Sequence, residues 1–309
     1  MLLKELARDS VVVVDGGLIT QLKAQGFELD GVLWSAELLH TNPQALVDAH
    51  KAYLEAGAEV IISASYQASR AGFHQVGIDA EEADRLIASS VTLARRAVDE
   101  FMAEHPDTFE RYVAASIGPY GAVLNDGSEY RGNYGVPRAI LRDFHTVRLQ
   151  VLDEAGADIL ACETIPSAEE AIVLGELLAD ASAPAWMTFS CRDGEHLCGG
   201  ARIDDVAAEL GLLGTLMALG VNCTPPQFVT SLIGNLRRAV PNIPIVVYPN
   251  SGESFVAGDN CWEGDRSLDD IVGYAREWHE AGASLIGGCC RVGPAEIQAL
   301  ADAFQVTDK

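Results

Sequence analysis

Seven cysteines are scattered through 309 residues, and two of them are adjacent, in the stretch Leu285-Ile286-Gly287-Gly288-Cys289-Cys290-Arg291. A short apolar run ends there in two glycines and two thiols, where a buried strand would emerge into a loop. Neighbouring Cα atoms lie about 3.8 Å apart, closer than a disulfide usually allows, so the pair does not read as a bridge with itself. Side by side, two thiolates are two soft ligands for one metal; buried cysteines serving as small hydrophobes are the plain alternative. A third thiol, Cys223, closes the apolar run Ala218-Leu219-Gly220-Val221-Asn222. Three thiolates would bind Zn2+ tightly and leave one tetrahedral position open, the arrangement of a catalytic site. Such a site suits the activation of a thiol substrate, because coordination removes the thiol proton while leaving the sulfur nucleophilic. Glu163 and Asp15 could then hold an ammonium group, with serine hydroxyls or backbone N–H groups on a carboxylate. An amino-acid thiol is the substrate this arrangement suggests.

The other four cysteines read differently. Cys162 precedes Glu163, and strand alternation points it to the opposite side. Cys191 and Cys198 flank the turn-like Arg192-Asp193-Gly194-Glu195-His196, and Cys261 lies in a polar, acidic segment. None of these four is expected to bind metal. No HExxH is present, and His50 and His145 have the spacing of helix-face residues with surface or packing roles.

The elements that must position these groups repeat with one rhythm. Val11-Val12-Val13-Val14 is apolar without alternation, as in a parallel strand covered on both faces, and it stops at Asp15-Gly16-Gly17. The phrases Glu55-Ala56-Gly57-Ala58, Glu154-Ala155-Gly156-Ala157 and Glu280-Ala281-Gly282-Ala283 each read as a helix end, a glycine stop and the entry to a buried strand. Further strands are expected at 60–63, 111–117, 159–163, 186–190, 218–223, 245–248 and 285–288. Helices are expected between them, including one from Pro43 and a long one over 79–102. Eight strands with crossovers predict a single-domain (β/α)8 TIM barrel over residues 1–309, whose site lies at the C-terminal strand ends. Those ends carry Asp15, Ser63, Ser116, Glu163, Ser190, Asn222 with Cys223, Tyr248 with Asn250, and Cys289 with Cys290. The loop from Gly118 to Gly135 has the glycines and tyrosines of a substrate cover. No GxGxxG follows the first strand and no Walker phosphate loop occurs, which removes the usual signs of a nucleotide site.

Composition narrows the function further. Lys and Arg total 21 against 45 Asp and Glu, a formal charge of -24 that argues against nucleic-acid partners and anionic membranes. No apolar run reaches the roughly 20 residues of a membrane span, and the N-terminus lacks the pattern of a secretory signal. An odd number of cysteines in a chain with a large core points to a reducing cytoplasm, and the chain is expected to be a monomer.

Together, Val14-Asp15-Gly16-Gly17, Leu33-Trp34-Ser35, Ser63-Ala64-Ser65-Tyr66-Gln67-Ala68, Gly118-Pro119-Tyr120-Gly121, Cys162-Glu163-Thr164, Gly220-Val221-Asn222-Cys223, Tyr248-Pro249-Asn250-Ser251-Gly252 and Gly287-Gly288-Cys289-Cys290-Arg291 resemble the homocysteine S-methyltransferase family across essentially the whole chain. The similarity is to its bacterial and plant members that use S-methylmethionine or S-adenosylmethionine. It implies zinc held by Cys223, Cys289 and Cys290, with the homocysteine sulfur as fourth ligand. It also implies that Asp15, Gly16, Gly17 and Glu163 surround the homocysteine amino and carboxylate groups. Trp34, Ser63, Ser65, Tyr66, Gln67 and Asn222 are the remaining substrate-binding residues it implies. Betaine-using relatives carry a C-terminal extension and an aromatic donor cage, whereas this chain stops soon after its last helix and has Tyr66-Gln67 beside the second strand. A sulfonium donor is therefore expected, with betaine as the alternative donor. A zinc-storing or redox-sensing protein is the non-catalytic alternative; a lyase or hydrolase on a similar barrel lacks a histidine or lysine base at the strand ends.

Overall fold

A computed structural model describes residues 11–29, 33–106, 108–124, 126–256, 261–263, 268 and 270–305. Eight strands form the main sheet: β1 (Val12–Val13), β2 (Val60–Ile62), β3 (Tyr112–Ile117), β4 (Ile159–Ile165), β5 (Ala185–Phe189), β6 (Leu216–Asn222), β7 (Ile245–Tyr248) and β8 (Ala283–Ile286). Each pairs in parallel with its sequence neighbour from β2 to β8, and β8 pairs in parallel with β1. The ring closes through the parallel bridge between Val14 and Val60, where the Asp15 N–H donates to the Val60 carbonyl at 3.0 Å. The expected (β/α)8 barrel is thus the observed one. The four-valine run forms a shorter ladder than expected because the next partner is a side chain. Asp15 Oδ2 accepts the Ile62 N–H at 2.8 Å, a bond that a strand carbonyl would otherwise take.

Helices α1 (Leu18–Ala24), α2 (Pro43–Glu55), α3 (Ala80–Glu104), α4 (Arg138–Glu154), α5 (Ala168–Leu177), α6 (Ile203–Leu213), α7 (Pro226–Ala239), α8 (Ile271–Ala281) and α9 (Pro294–Phe304) lie in the connections and after β8. Pro43 occupies the first turn of α2, where its missing N–H costs nothing. Asp79 caps α3, its Oδ1 accepting the Glu82 N–H at 3.0 Å. An antiparallel ribbon of Ser254–Val256 with Cys261–Glu263, which the sequence pattern did not suggest, precedes α8.

Period-two alternation divides the strands into two cores. Val113, Ala115, Leu160, Cys162, Met187, Leu219 and Val247 face the helices. Val12, Val14, Val60, Tyr112, Ala114, Ile159, Ala161, Trp186, Ala218, Val246 and Leu285 fill the barrel. Fully buried Trp186 sets its bulk against alanines from neighbouring strands, so the lower barrel is solid and the space for chemistry is at the top.

The repeated Ala-Gly-Ala phrase ends helices as expected: Gly57, Gly156 and Gly282 have φ of 96°, 81° and 115°. A Cβ at Gly156 would meet no atom within 4 Å, so only its backbone conformation resists substitution. Gly156→Ala is therefore expected to lower thermal stability by the equivalent of about 1–2 kcal/mol. A rise in the melting temperature would show the helix running through this position, where alanine is the better residue.

Candidate metal centre and substrate cavity

Continuing the inward alternation one step above the packed core brings Ser116, Glu163, Thr188, Asn222 and Tyr248 into one polar layer. All five are buried. Glu163 Oε1 accepts the Ser116 hydroxyl, and Tyr248 hydrogen-bonds the same carboxylate. The Tyr248 hydroxyl accepts the Trp186 indole N–H at 3.3 Å and lies 2.9 Å from Thr188 Oγ1. Thr188 in turn donates to Asn222 Oδ1 at 2.8 Å, and Asn222 Nδ2 donates to Thr164 Oγ1 at 2.7 Å. Every member has a partner, as a buried polar network requires.

Over this layer lies a cavity of about 440 Å3. The last turns of β6 and β8 deliver three sulfurs to its wall: Cys223, Cys289 and Cys290. Their Sγ atoms all lie within 4.8 Å of one another. Cys223 and Cys289 are joined as a disulfide, with Cα atoms 5.7 Å apart, while Cys290 Sγ lies 3.6 Å from Cys223 Sγ and 4.0 Å from Cys289 Sγ. Tetrahedral zinc with Zn–S bonds of about 2.3 Å separates its sulfurs by about 3.8 Å, so both spans to Cys290 match. With the disulfide reduced, the trio fits a zinc ion. Burial pushes the Cys290 thiol up to about 12, with Glu163 and Glu129 adding to the effect, so a metal is what would make it a thiolate at neutral pH. The Asn222 amide also reaches Cys289 Sγ, at 3.9 Å.

The turn Asp15-Gly16-Gly17 packs directly on the cysteine loop. A Cβ on Gly17 would stand 2.6 Å from the Cys289 carbonyl, and one on Gly16 would stand 2.5 Å from the Val292 carbonyl. Two glycines here let β1 and β8 end against each other, with the Gly288 N–H donating to the Asp15 carbonyl at 3.0 Å. Asp15 Oδ1 is buried without a hydrogen-bond partner. Burial raises the Asp15 carboxyl well above its ordinary range, the Ile62 N–H opposes this, and the nearby Glu163 adds to it. Glu163 is raised to about 7, chiefly by burial, against the pull of Ser116, Tyr248 and the Arg148 guanidinium. Asp15 and Glu163 are thus two buried carboxyls close enough for the charge of Glu163 to act on Asp15.

β4 bends at this point. Its pairing with β5 shifts register between Cys162 and Ile165, and Thr164 sits at φ 61°, an unusual conformation for a β-branched residue. The Thr164 N–H donates to Asn222 Oδ1 at 2.7 Å, which holds the bulge and turns Glu163 into the cavity. Cys223 and Arg291 have positive φ as well, at 46° and 63°, so three non-glycine residues in this conformation all line the cavity.

The loop after β3 covers one side, as its composition suggested. It is pinned: Glu170 on α5 accepts the Tyr134 hydroxyl at 2.8 Å and the Tyr120 N–H at 2.6 Å, and contacts His145 Nε2 at 2.8 Å. Arg148, buried beneath, donates to the Gly118 carbonyl at 2.9 Å and the Ser65 carbonyl at 2.6 Å, tying the ends of β2 and β3 together. From this loop Glu129 and Tyr130 reach the cavity. Strand-end reasoning missed Glu129, because no periodicity marks a residue in an irregular loop.

Of the expected substrate residues, Gly16, Gly17, Ser63, Tyr66, Gln67 and Glu163 line the cavity. Asp15 stands just behind the glycines. Ser65 and Asn222 are brought to the site but do not line its cavity: Ser65 Oγ donates to the Ser116 carbonyl at 2.8 Å and bonds Ser63 Oγ, and the Asn222 amide bonds Thr164 and Thr188 besides reaching Cys289 Sγ. Both shape the wall rather than face the space. Trp34 opens a short 3-10 turn at Trp34–Glu37, and its side chain lies outside the described residues. Cys162 faces the helices, away from Glu163, as alternation required. His50 and His145 are fully buried, so they are packing residues and not surface ones.

The residues 12–304 match the family model described as homocysteine S-methyltransferase. Homocysteine S-methyltransferase YbgG of Bacillus subtilis is 44% identical over 295 residues, covering 94% of this chain and 93% of the relative. Among solved structures, the metallated form of the Escherichia coli homocysteine methyltransferase MmuM superposes with a TM-score of 0.87 at 42% identity, covering 96% of this chain and 97% of that one. The oxidized form of the same enzyme matches with the same score and identity, covering 96% of each chain. Among the described residues no helix is long and apolar enough to cross a membrane.

The raised Glu163 value has a measurable consequence. A carboxyl at about 7 in the folded chain and near its ordinary 4.5 when unfolded opposes folding above pH 4.5, with the full cost present only above about 7. Relative to Glu163→Gln, which does not titrate, the metal-free parent should therefore lose melting temperature as pH rises from about 5 to 8. A gap between the two that does not change with pH would mean that Glu163 stays ionised in the fold.

Proposed function

The chain belongs to the homocysteine S-methyltransferase family, and from that membership we propose how its cavity performs the transfer. The protein is a zinc-dependent enzyme that methylates homocysteine to methionine. Cys223, Cys289 and Cys290 would hold the zinc, whose contribution when bound is to keep a substrate thiol deprotonated and nucleophilic at neutral pH. Asp15 and Glu163 take the homocysteine ammonium, and its charge draws the proton off Glu163. Ser116 and Tyr248 fix the Glu163 carboxylate from below, so the amino acid is oriented before the donor arrives. The methyl donor is a sulfonium, S-methylmethionine or S-adenosylmethionine. It departs as a neutral thioether, which needs no general acid, in keeping with a cavity whose described lining carries no histidine. The loop after β3 and the Tyr66 ring limit water around the reacting sulfur. The chain acts as a single catalytic domain over residues 1–309, as a monomer in the cytoplasm, with small molecules as its partners.

The observation that carries this reading is the coincidence of three sulfurs with Glu163 in one cavity, with Asp15 just behind its wall. A thiol-based redox protein has one observation in its favour, the Cys223–Cys289 disulfide. That reading accounts for the sulfurs but leaves two buried carboxyls without a task.

Protein purified reduced and without chelator should contain about one zinc per chain and form methionine from homocysteine with either sulfonium but not with betaine. Serine at Cys223, Cys289 or Cys290 should abolish turnover and deplete zinc, whereas Cys162→Ser should keep both. Methionine formed from betaine alone, or full activity in a zinc-free Cys290→Ser protein, would contradict the assignment.

A further inference from the structure

The cavity holds one more carboxylate than homocysteine requires. Glu129 is 3% exposed, lines the same space, and its Oε2 is buried without a hydrogen-bond partner. Its position is built. Asp126 Oδ1 accepts the Ser128 N–H at 3.0 Å, and Gly127 turns the chain at φ 75°. Ser190 Oγ donates to the Glu129 carbonyl at 3.2 Å from the end of β5. The nearest basic residue of this loop, Arg131, is directed to Asp126 and not to Glu129. Of the basic residues on the cavity wall, Arg291 pairs with Glu253, its Nε 2.6 Å from Oε2.

Glu129 also stands apart from the other carboxyls. Asp15 senses Glu163, whereas the charged neighbours of Glu129 are Asp126 and Arg131. Yet Cys290 and the Tyr66 ring each sense both Glu163 and Glu129. Cys290, Tyr66, Glu163 and Glu129 therefore share one cavity wall, with both carboxyls near enough to act on the same thiol and ring. Tyr130, adjacent in sequence to Glu129, hydrogen-bonds the Cys290 sulfur, so this side opens directly on the reacting centre.

We propose that Glu129, with the faces of Tyr66 and Tyr130, forms the methyl-donor subsite and selects donors whose methyl group sits on a positively charged sulfur. This rests on the reading of the enzyme as a sulfonium-dependent methyltransferase. A carboxylate and two π faces in a desolvated pocket are complementary to a sulfonium, and a neutral donor would leave the carboxylate unpaired. In the transfer, the carbon–sulfur bond of the donor breaks with its electron pair left on that sulfur, and the methyl carbon bonds to the acceptor thiolate. The donor falls from cation to neutral thioether while the thiolate becomes a neutral thioether. Attraction to Glu129 is thus strongest before the transfer and is lost with it, which favours donor capture and product release over the chemical step.

Kinetics with one substrate varied and the other saturating test this. Glu129→Gln should raise the KM for S-methylmethionine about tenfold or more, leave kcat unchanged or higher, and leave the homocysteine KM and zinc content within about twofold of the parent. Glu129→Asp should fall between. An unchanged donor KM, or an equal rise in both KM values, would overturn the proposal while leaving the sulfonium-dependent reading intact. A parent that transfers methyl from no sulfonium would overturn both. Should the variants fold poorly, the parent alone decides by competition against S-methylmethionine. The neutral carbon isostere, with CH in place of the sulfonium sulfur, should bind at least tenfold more weakly than the donor; equal binding would overturn the subsite.

Discussion

Cys223 and Cys289 are 66 residues apart, and one constraint brings them together: parallel closure of the barrel with β7 between β6 and β8. In-register pairing fixes the heights of the strand ends, with Asn222 opposite Tyr248 and Ile286 opposite Val247. The same closure sets β1 against β8, so Asp15 meets Gly288 one residue before Cys289, ahead of two glycines that could not carry side chains there. The sulfur cluster and the placing of Asp15 thus depend on the same few backbone contacts. A change that shifted β8 by one residue would turn Cys289 to the opposite face and dismantle both.

Below the cavity, polarity is concentrated in one saturated layer. The chain from Ser116 through Glu163, Tyr248, Thr188 and Asn222 to Thr164 crosses five strands and rests on the indole of Trp186. Its energetic role is to make the burial of Glu163 tolerable, since each hydrogen bond offsets part of the desolvation cost. Burial still outweighs those bonds, so the Glu163 carboxyl stays raised, to about 7. The unusual backbone at Thr164 belongs to this layer, held by its bond to Asn222.

Much of this was legible in the sequence because strand alternation is a strict rule. Glu163 inward and Cys162 outward follow from adjacent positions, and the Ala-Gly-Ala phrases marked three helix-to-strand joints that the structure shows. The same rule does not distinguish a wall from the braces behind it. Ser65 and Asn222 have the right types at the right ends, yet neither lines the cavity, because their polar atoms brace its wall from behind. Glu129 escaped because its placement depends on a loop held by Gly127, Glu170 and Ser190, contacts separated by up to 61 residues and without a periodic signature. The bulge at Thr164 escaped for the opposite reason, since a β-branched residue is the least expected occupant of that conformation.

The central claim is that three protein sulfurs leave one zinc position for the sulfur of homocysteine. X-ray absorption at the zinc edge counts those sulfurs directly, in the reduced, zinc-loaded protein before and after homocysteine is added. Three sulfurs with one lighter ligand, becoming four sulfurs on addition, is the expected result. A coordination shell that homocysteine leaves unchanged, with the substrate otherwise shown to bind, would contradict it.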